Sequence, residues 1–204
     1  MVQDAVDHKQ TLMAYQPILR DVASHKIAFH EGLIRVLDPT GRVIPARDFM
    51  PVVENTQLGR QIDVLSLDAG MITLQAHPEL RISINMSARS IGFRAWTTML
   101  NRWLSREPTI GERLILEISE QSAMLMPELV SDFMKRMQDK GVCFALDNFG
   151  SGYAAIRFFK DLYFDILKID GIDGVFIGVN GCSLRAAESL ATLRELPVDR
   201  VMLE

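Results

Sequence analysis

The chain has 204 residues, 48% hydrophobic and 24% charged, the size and composition of one globular domain that can bury a core without staples, which excludes disordered and collagen-like classes. Its 22 basic and 26 acidic side chains leave a net charge of −4, which excludes the basic footprint of an extended nucleic-acid binder. Cys143 and Cys182 stand in neither a zinc-ligand nor a disulfide-framework spacing and read as reduced packing residues of a cytoplasmic protein.

Met1 to Gln10 is polar, without a cationic stretch leading into an apolar one, so no secretory signal is expected, and no apolar run reaches membrane-spanning length. From there apolar runs bounded by turn residues alternate with helix-period stretches. Strands are predicted at 12–19, 28–37, 81–86, 113–119, 142–147, 165–169 and 200–204, and helices at 58–76, 89–105, 122–139 and 183–195. In the third helix Leu129, Phe133 and Met137 share one face, Pro127 sits in the first turns, and Gly141 follows the end as a stop signal. Pro45, before Ala46 and Arg47, marks a short helix start. This alternation predicts a parallel sheet covered by helices, either an open doubly wound sheet or a closed barrel. No GxGxxG or GxxxxGK[ST] follows a strand, so the usual nucleotide signatures of open sheets are missing.

Five strands carry a polar residue near the C-terminal end: Glu31, Asn85, Glu117, Asp147 and Lys168. Each one alone is explained by helix capping or a surface ion pair. Five together point to a shared site, because charged side chains are seldom buried unless paired or ligating. With a two-residue period, Ser83 shares a face with Asn85 and Ala145 with Asp147, while Ile82, Ile84, Phe144 and Leu146 face the other way. In a β/α barrel, strand C-termini converge on one face, and three carboxylates with an amide oxygen are hard ligands suited to Mg²⁺, Mn²⁺ or Ca²⁺.

These residues lie in short blocks that resemble the EAL family, whose members hydrolyse the messenger cyclic di-GMP to pGpG. Tyr15-Gln16-Pro17-Ile18 is similar to the opening YQPI, Glu31-Gly32-Leu33-Ile34-Arg35 to EALLR, and Ile84-Asn85-Met86-Ser87 to VN(L/I)S. Leu116-Glu117-Ile118-Ser119-Glu120 resembles LELTE, Asp147-Asn148-Phe149-Gly150-Ser151-Gly152-Tyr153 resembles DDFGTGY, and Leu167-Lys168-Ile169-Asp170 completes the run. The resemblance implies a TIM-like (β/α) barrel over 1–204, family-like from about 12 to 170 and divergent from 171 to 204, incomplete at the C-terminus.

By the same resemblance, Glu31, Asn85, Glu117 and Asp147 hold a first Mg²⁺ or Mn²⁺, and Asp147 with Asn148 faces a second. Lys168 helps to hold the attacking water, Glu120 secures the loop beginning at Phe149, and Gln16, Leu33, Arg35 and Pro45 lie near the bound dinucleotide. Three departures stand out. Gly32 replaces the alanine of the motif, Asn148 replaces its second aspartate, and after Asp170 the closing segments are not recognisable, apart from an alignment of Glu204 with a later glutamate. The expectation is a signal-transduction protein that recognises cyclic di-GMP and whose hydrolysis is weakened or lost. The alternatives are a non-catalytic receptor, or a degenerate domain regulating a protein partner; unpaired strand edges would also permit a homodimer.

Overall fold

A computed structural model describes residues 1–20, 25–150, 162–169 and 176–178. Along the chain lie α1 (Val2–Asp7), β1 (Thr11–Leu19), β2 (Ile27–Leu37), β3 (Val43–Pro45), α2 (Met50–Val53), α3 (Gln57–Ala76), β4 (Ile82–Asn85), α4 (Arg94–Arg106), β5 (Leu114–Ser119), α5 (Glu120–Leu125), α6 (Pro127–Gln138), β6 (Cys143–Phe149), β7 (Ile166–Ile169) and β8 (Phe176–Gly178). The strands form one sheet in the order β1-β2-β4-β5-β6-β7-β8, with β3 on the side of β2. From β2 through β7 the path is parallel, with helices between the strands of its middle section, the arrangement of a TIM-like β/α barrel.

The sheet is not parallel throughout. β1 and β3 both run antiparallel to β2, and β8 antiparallel to β7. Short connections explain the two N-terminal pairings, since antiparallel neighbours need only a turn whereas parallel ones need a crossover. The predicted strand at 200–204 and helix at 183–195 lie outside the described residues, and β8 was not foreseen. The helix predicted over 122–139 is two helices, broken at Met126 (φ −146°, ψ 63°), because a residue preceding proline is pushed out of the α region. The start expected after Pro45 is a single 3₁₀ turn, Ala46–Asp48.

The two faces of the sheet bury different cores. Ile82, Ile84, Phe144 and Leu146 pack outward against Leu67, Met71 and Leu74 of α3, Trp96 and Leu100 of α4, and Phe133 of α6. Trp96, Phe133 and Phe144 form an aromatic chain with centroids 5.7 and 5.9 Å apart, the second contact edge-on, which favours aromatic pairs beyond their buried area. On the other face Ile18, Phe29, Ile115 and Ala145 form a small separate cluster, the floor of the barrel interior. Among the described residues no helix is long and apolar enough to cross a membrane.

Candidate functional site

The interior floor dictates where the polar groups go. Two residues beyond Phe29, Ile115, Ala145 and Ile166 stand Glu31, Glu117, Asp147 and Lys168, and two beyond the fully buried Ser83 stands Asn85. Alternation along a strand puts each pair on one face, so an apolar floor is followed, one step nearer the strand C-termini, by a polar layer. The parallel register brings Glu31 opposite Ser83, Asn85 opposite Glu117, and Glu117 opposite Ala145.

Lys168 is the centre of that layer. Its Nζ lies 2.7 Å from Glu117 Oε2, 3.0 Å from Glu31 Oε1 and 3.3 Å from Asp147 Oδ1. Asn85 Nδ2 donates to Glu31 Oε1 at 3.3 Å. Burial pushes the Glu117 carboxyl above the ordinary carboxylate range against the pull of Lys168, with Glu31 adding to the rise. Burial alone would lower the Lys168 ammonium, but Glu117, Glu31 and Asp147 outweigh it and hold its pKa above the ordinary lysine value. Ser83 is close enough to Glu117 to favour the charged carboxylate, yet neither Ser83 Oγ nor Glu117 Oε1 has a partner at hydrogen-bond geometry.

This donor set fits a divalent cation in its chemistry. Three carboxylates face one ammonium, Glu117 Oε1 is a buried oxygen lacking a partner, and the donors are oxygens. Among the described residues no three acidic, histidine or cysteine side chains are already arranged around an ion position; the carboxylates share Lys168 instead.

Above the layer opens a cavity of about 460 Å³, within the range of small-molecule sites. Its walls include Glu31, Leu33, Asn85, Asp147 and Asn148. Glu117 and Lys168 lie beneath, joined to it through their ion pairs. Gln16, Arg35 and Pro45 are not among the lining residues, although Gln16 pairs with Glu31 and Arg35 with Pro45 across the sheet. The Arg35 guanidinium donates to the Ile34 carbonyl at 3.0 Å. Glu120 does not join the layer around Lys168. It is buried at the start of α5, and its Oε2 accepts from Gly150 N at 2.6 Å, fixing the exit of β6 where Asn148 and Gly150 have φ of 55° and 93°. Gly32 sits close to its neighbours: an added methyl would lie 3.1 Å from Ser83 O and 3.3 Å from Met13 Sδ.

The sequence reading missed Asp63, which lines the same cavity from α3 and is 4% exposed. Its Oδ2 accepts from Ser87 N at 2.9 Å and Ser90 Oγ at 2.6 Å. Burial raises this carboxyl to about 7, against the two hydrogen bonds. The signal was available, since Asp63 stands at helical spacing with Leu67, Gly70 and Leu74 on the apolar stripe. Near the start of β7, Phe164 packs in the main core and Tyr163 is half exposed.

A layer of oxygen donors around a lysine at the C-terminal ends of barrel strands defines a class of site, and comparison with known proteins gives its family. The EAL domain model matches residues 1–173, and the chain belongs to the EAL domain family. The matched span ends close to where the recognisable motifs stop. The chain is 27% identical over 193 residues to the cyclic di-GMP phosphodiesterase PdeB of Shewanella oneidensis, covering 93% of this chain and 22% of that protein. It is 28% identical over 174 residues to the probable cyclic di-GMP phosphodiesterase PdeB of Escherichia coli, covering 83% of this chain and 33% of that protein. It thus spans about a fifth to a third of these relatives' length. Among solved structures, the PaMucR phosphodiesterase in complex with c-di-GMP superposes with a TM-score of 0.67 at 26% identity, over 83% of this chain and 70% of that one. The EAL domain protein of Listeria monocytogenes shares the fold at a TM-score of 0.71 and 22% identity, over 95% and 74% of the two chains.

Proposed function

We propose that this chain is a cyclic di-GMP signalling domain that binds the dinucleotide in the cavity above Lys168 and hydrolyses it slowly or not at all. The observation that carries the reading is the convergence of Glu31, Glu117 and Asp147 on the Lys168 ammonium, beside a cavity lined by Asp147 and by the neutral Asn148 next to it. Membership of the EAL family and relatives described as cyclic di-GMP phosphodiesterases supply the ligand.

In this reading Glu31, Asn85, Glu117 and Asp147 hold one Mg²⁺ or Mn²⁺, and Asp147 with Asn148 faces a second. When bound, such ions acidify water and stabilise the attacking and leaving oxygens of an in-line displacement. Lys168 stays protonated because three carboxylates surround it, so it offers a fixed positive charge to a phosphate oxygen or a water at the cavity floor. Glu120 anchors the start of the β6 exit loop through Gly150 N and thereby sets where Asn148 stands. Leu33 lines the cavity, with Arg35 two residues further along the inner face of β2, and these are the contacts proposed for the dinucleotide, with Gln16 and Pro45 as their cross-strand neighbours. The neutral amide at Asn148 weakens the second ion position, which is why binding outlasts turnover.

The test is single-turnover conversion of cyclic di-GMP with excess Mn²⁺ or Mg²⁺, run beside equilibrium binding in Ca²⁺ and in chelator. Tight binding with slow or absent pGpG formation is the expected result. Fast turnover would overturn the weakened-hydrolysis half of the reading, and no binding in any condition would overturn the whole.

A further inference from the structure

We propose that Asp63 is a positioning residue: through Ser87 and Ser90 it fixes the turn after β4, and with it Asn85, against the carboxylates of β2, β5 and β6. The proposal rests on the reading of the site given above and adds to it a residue outside the oxygen-donor layer.

β4 is four residues long, and Asn85 at its end is exposed, so burial constrains its side chain little. Its place depends on the backbone that follows. There three successive amides are each held by a different element. Met86 N donates to the Glu117 carbonyl of β5 at 2.9 Å, Ser87 N to Asp63 Oδ2 of α3 at 2.9 Å, and Ala88 N to Ser122 Oγ of α5 at 2.8 Å. Ser122 is itself tied by its amide to the Ser119 hydroxyl at 3.2 Å. Asp63 holds the turn twice, because the same oxygen also accepts from Ser90 Oγ at 2.6 Å.

The location of Asp63 makes this arrangement specific. An acid 4% exposed on an apolar helix stripe is costly unless its hydrogen bonds are made, and both bonds it makes go to the Ser87–Ser90 turn. A leucine there would suit the helix better, so the acid serves the turn. Asn85 is then delivered to Glu31, to which its amide donates at 3.3 Å.

The experiment compares the full chain with Asp63→Leu, Asp63→Asn and Ser90→Ala, each alone and combined with Asn85→Ala. Hydrogen exchange of the Met86–Ala88 amides is read in metal-free protein, and Mn²⁺ affinity by the paramagnetic signal of free ion. Asp63→Leu should speed exchange in the turn and weaken Mn²⁺ about 10-fold or more, as the loss of a ligand's supporting partner does. Asp63→Asn keeps an acceptor oxygen and should restore both. In the Asn85→Ala background Asp63→Leu should have no further effect on Mn²⁺. An equal loss with and without Asn85, or unchanged exchange in Asp63→Leu, would overturn the proposal. If Asp63→Leu does not fold, Ser90→Ala carries the same comparison by removing one bond. Absence of Mn²⁺ binding by the unsubstituted chain fails the reading of the site, and is told apart from failure of the positioning role, which unchanged exchange overturns on its own.

Discussion

Lys168 Nζ lies 2.7 Å from Glu117 Oε2, and the carboxylate it touches belongs to a residue only 1% exposed. Removing the ammonium leaves that carboxylate buried with no counter-charge among the described residues. Lys168→Met should therefore destabilise the fold by ~3–5 kcal/mol at pH 8, the usual consequence of breaking a buried pair from one side. The loss should shrink at pH 5, where burial already favours the protonated, uncharged form of Glu117. Urea unfolding at the two pH values checks this, and an equal loss at both would show that the pair's charge is not what matters.

Asn148→Asp should raise Mn²⁺-dependent hydrolysis of cyclic di-GMP by ~10–100-fold, by restoring an anion beside Asp147. The backbone permits the change, because Asn148 has a left-handed φ of 55° that aspartate also tolerates. Asp147→Asn should abolish any turnover without unfolding the chain. Single-turnover assays of both variants, with circular dichroism as the folding control, decide between these outcomes and a role for Asp147 that is structural only.

Stability should fall as pH rises from about 4 to 7. Asp63 has a folded pKa of about 7 against an ordinary 3.8, so across that window the folded state binds more protons than the unfolded one. Its contribution is complete below the unfolded value and is lost as pH rises through the folded one, a swing of roughly 4 kcal/mol at most for a shift of this size. Glu117 shifts in the same direction. Asp63→Asn resembles the protonated acid and should flatten part of the slope. Urea midpoints measured from pH 4 to 8 test it; an unchanged slope would place the Asp63 titration elsewhere.

Gly59→Ala should destabilise by ~1–3 kcal/mol, as overpacking does, although alanine is the better helix former. A β-carbon at Gly59 would stand 2.6 Å from both the Val53 and Glu54 carbonyl oxygens, so the start of α3 could not approach the end of α2. Met50 and Glu54 line the cavity, and the same variant should loosen that wall. Thermal melting reads the first effect and dinucleotide affinity the second; a gain in stability would refute the close approach.

Most of the parallel strand positions were legible because a strand buried on both faces reads as a short apolar run, and the polar residue near each strand end stood out against it. The β1–β2 pairing was less legible, because alternation gives a strand's faces but not the direction of its neighbour. Pro127 was placed in the first turns of a single helix over 122–139, whereas it starts a second helix and forces the break at Met126. Asp63 stands on the apolar stripe of α3, but what holds it there was not legible, because its partners lie in the distant Ser87–Ser90 turn, which no spacing within the helix records.

By itself the sequence determined the alternation of strands and helices and the polar residue near the end of each of five strands, Glu31, Asn85, Glu117, Asp147 and Lys168. Those properties follow from side-chain period and residue chemistry, which are local. Only the tertiary structure decided that Glu31, Glu117 and Asp147 share the Lys168 ammonium and that Asp63 reaches the turn after β4. These depend on strand register and on helix packing across tens of residues of chain, where burial and pairing are settled together and no local pattern records the outcome.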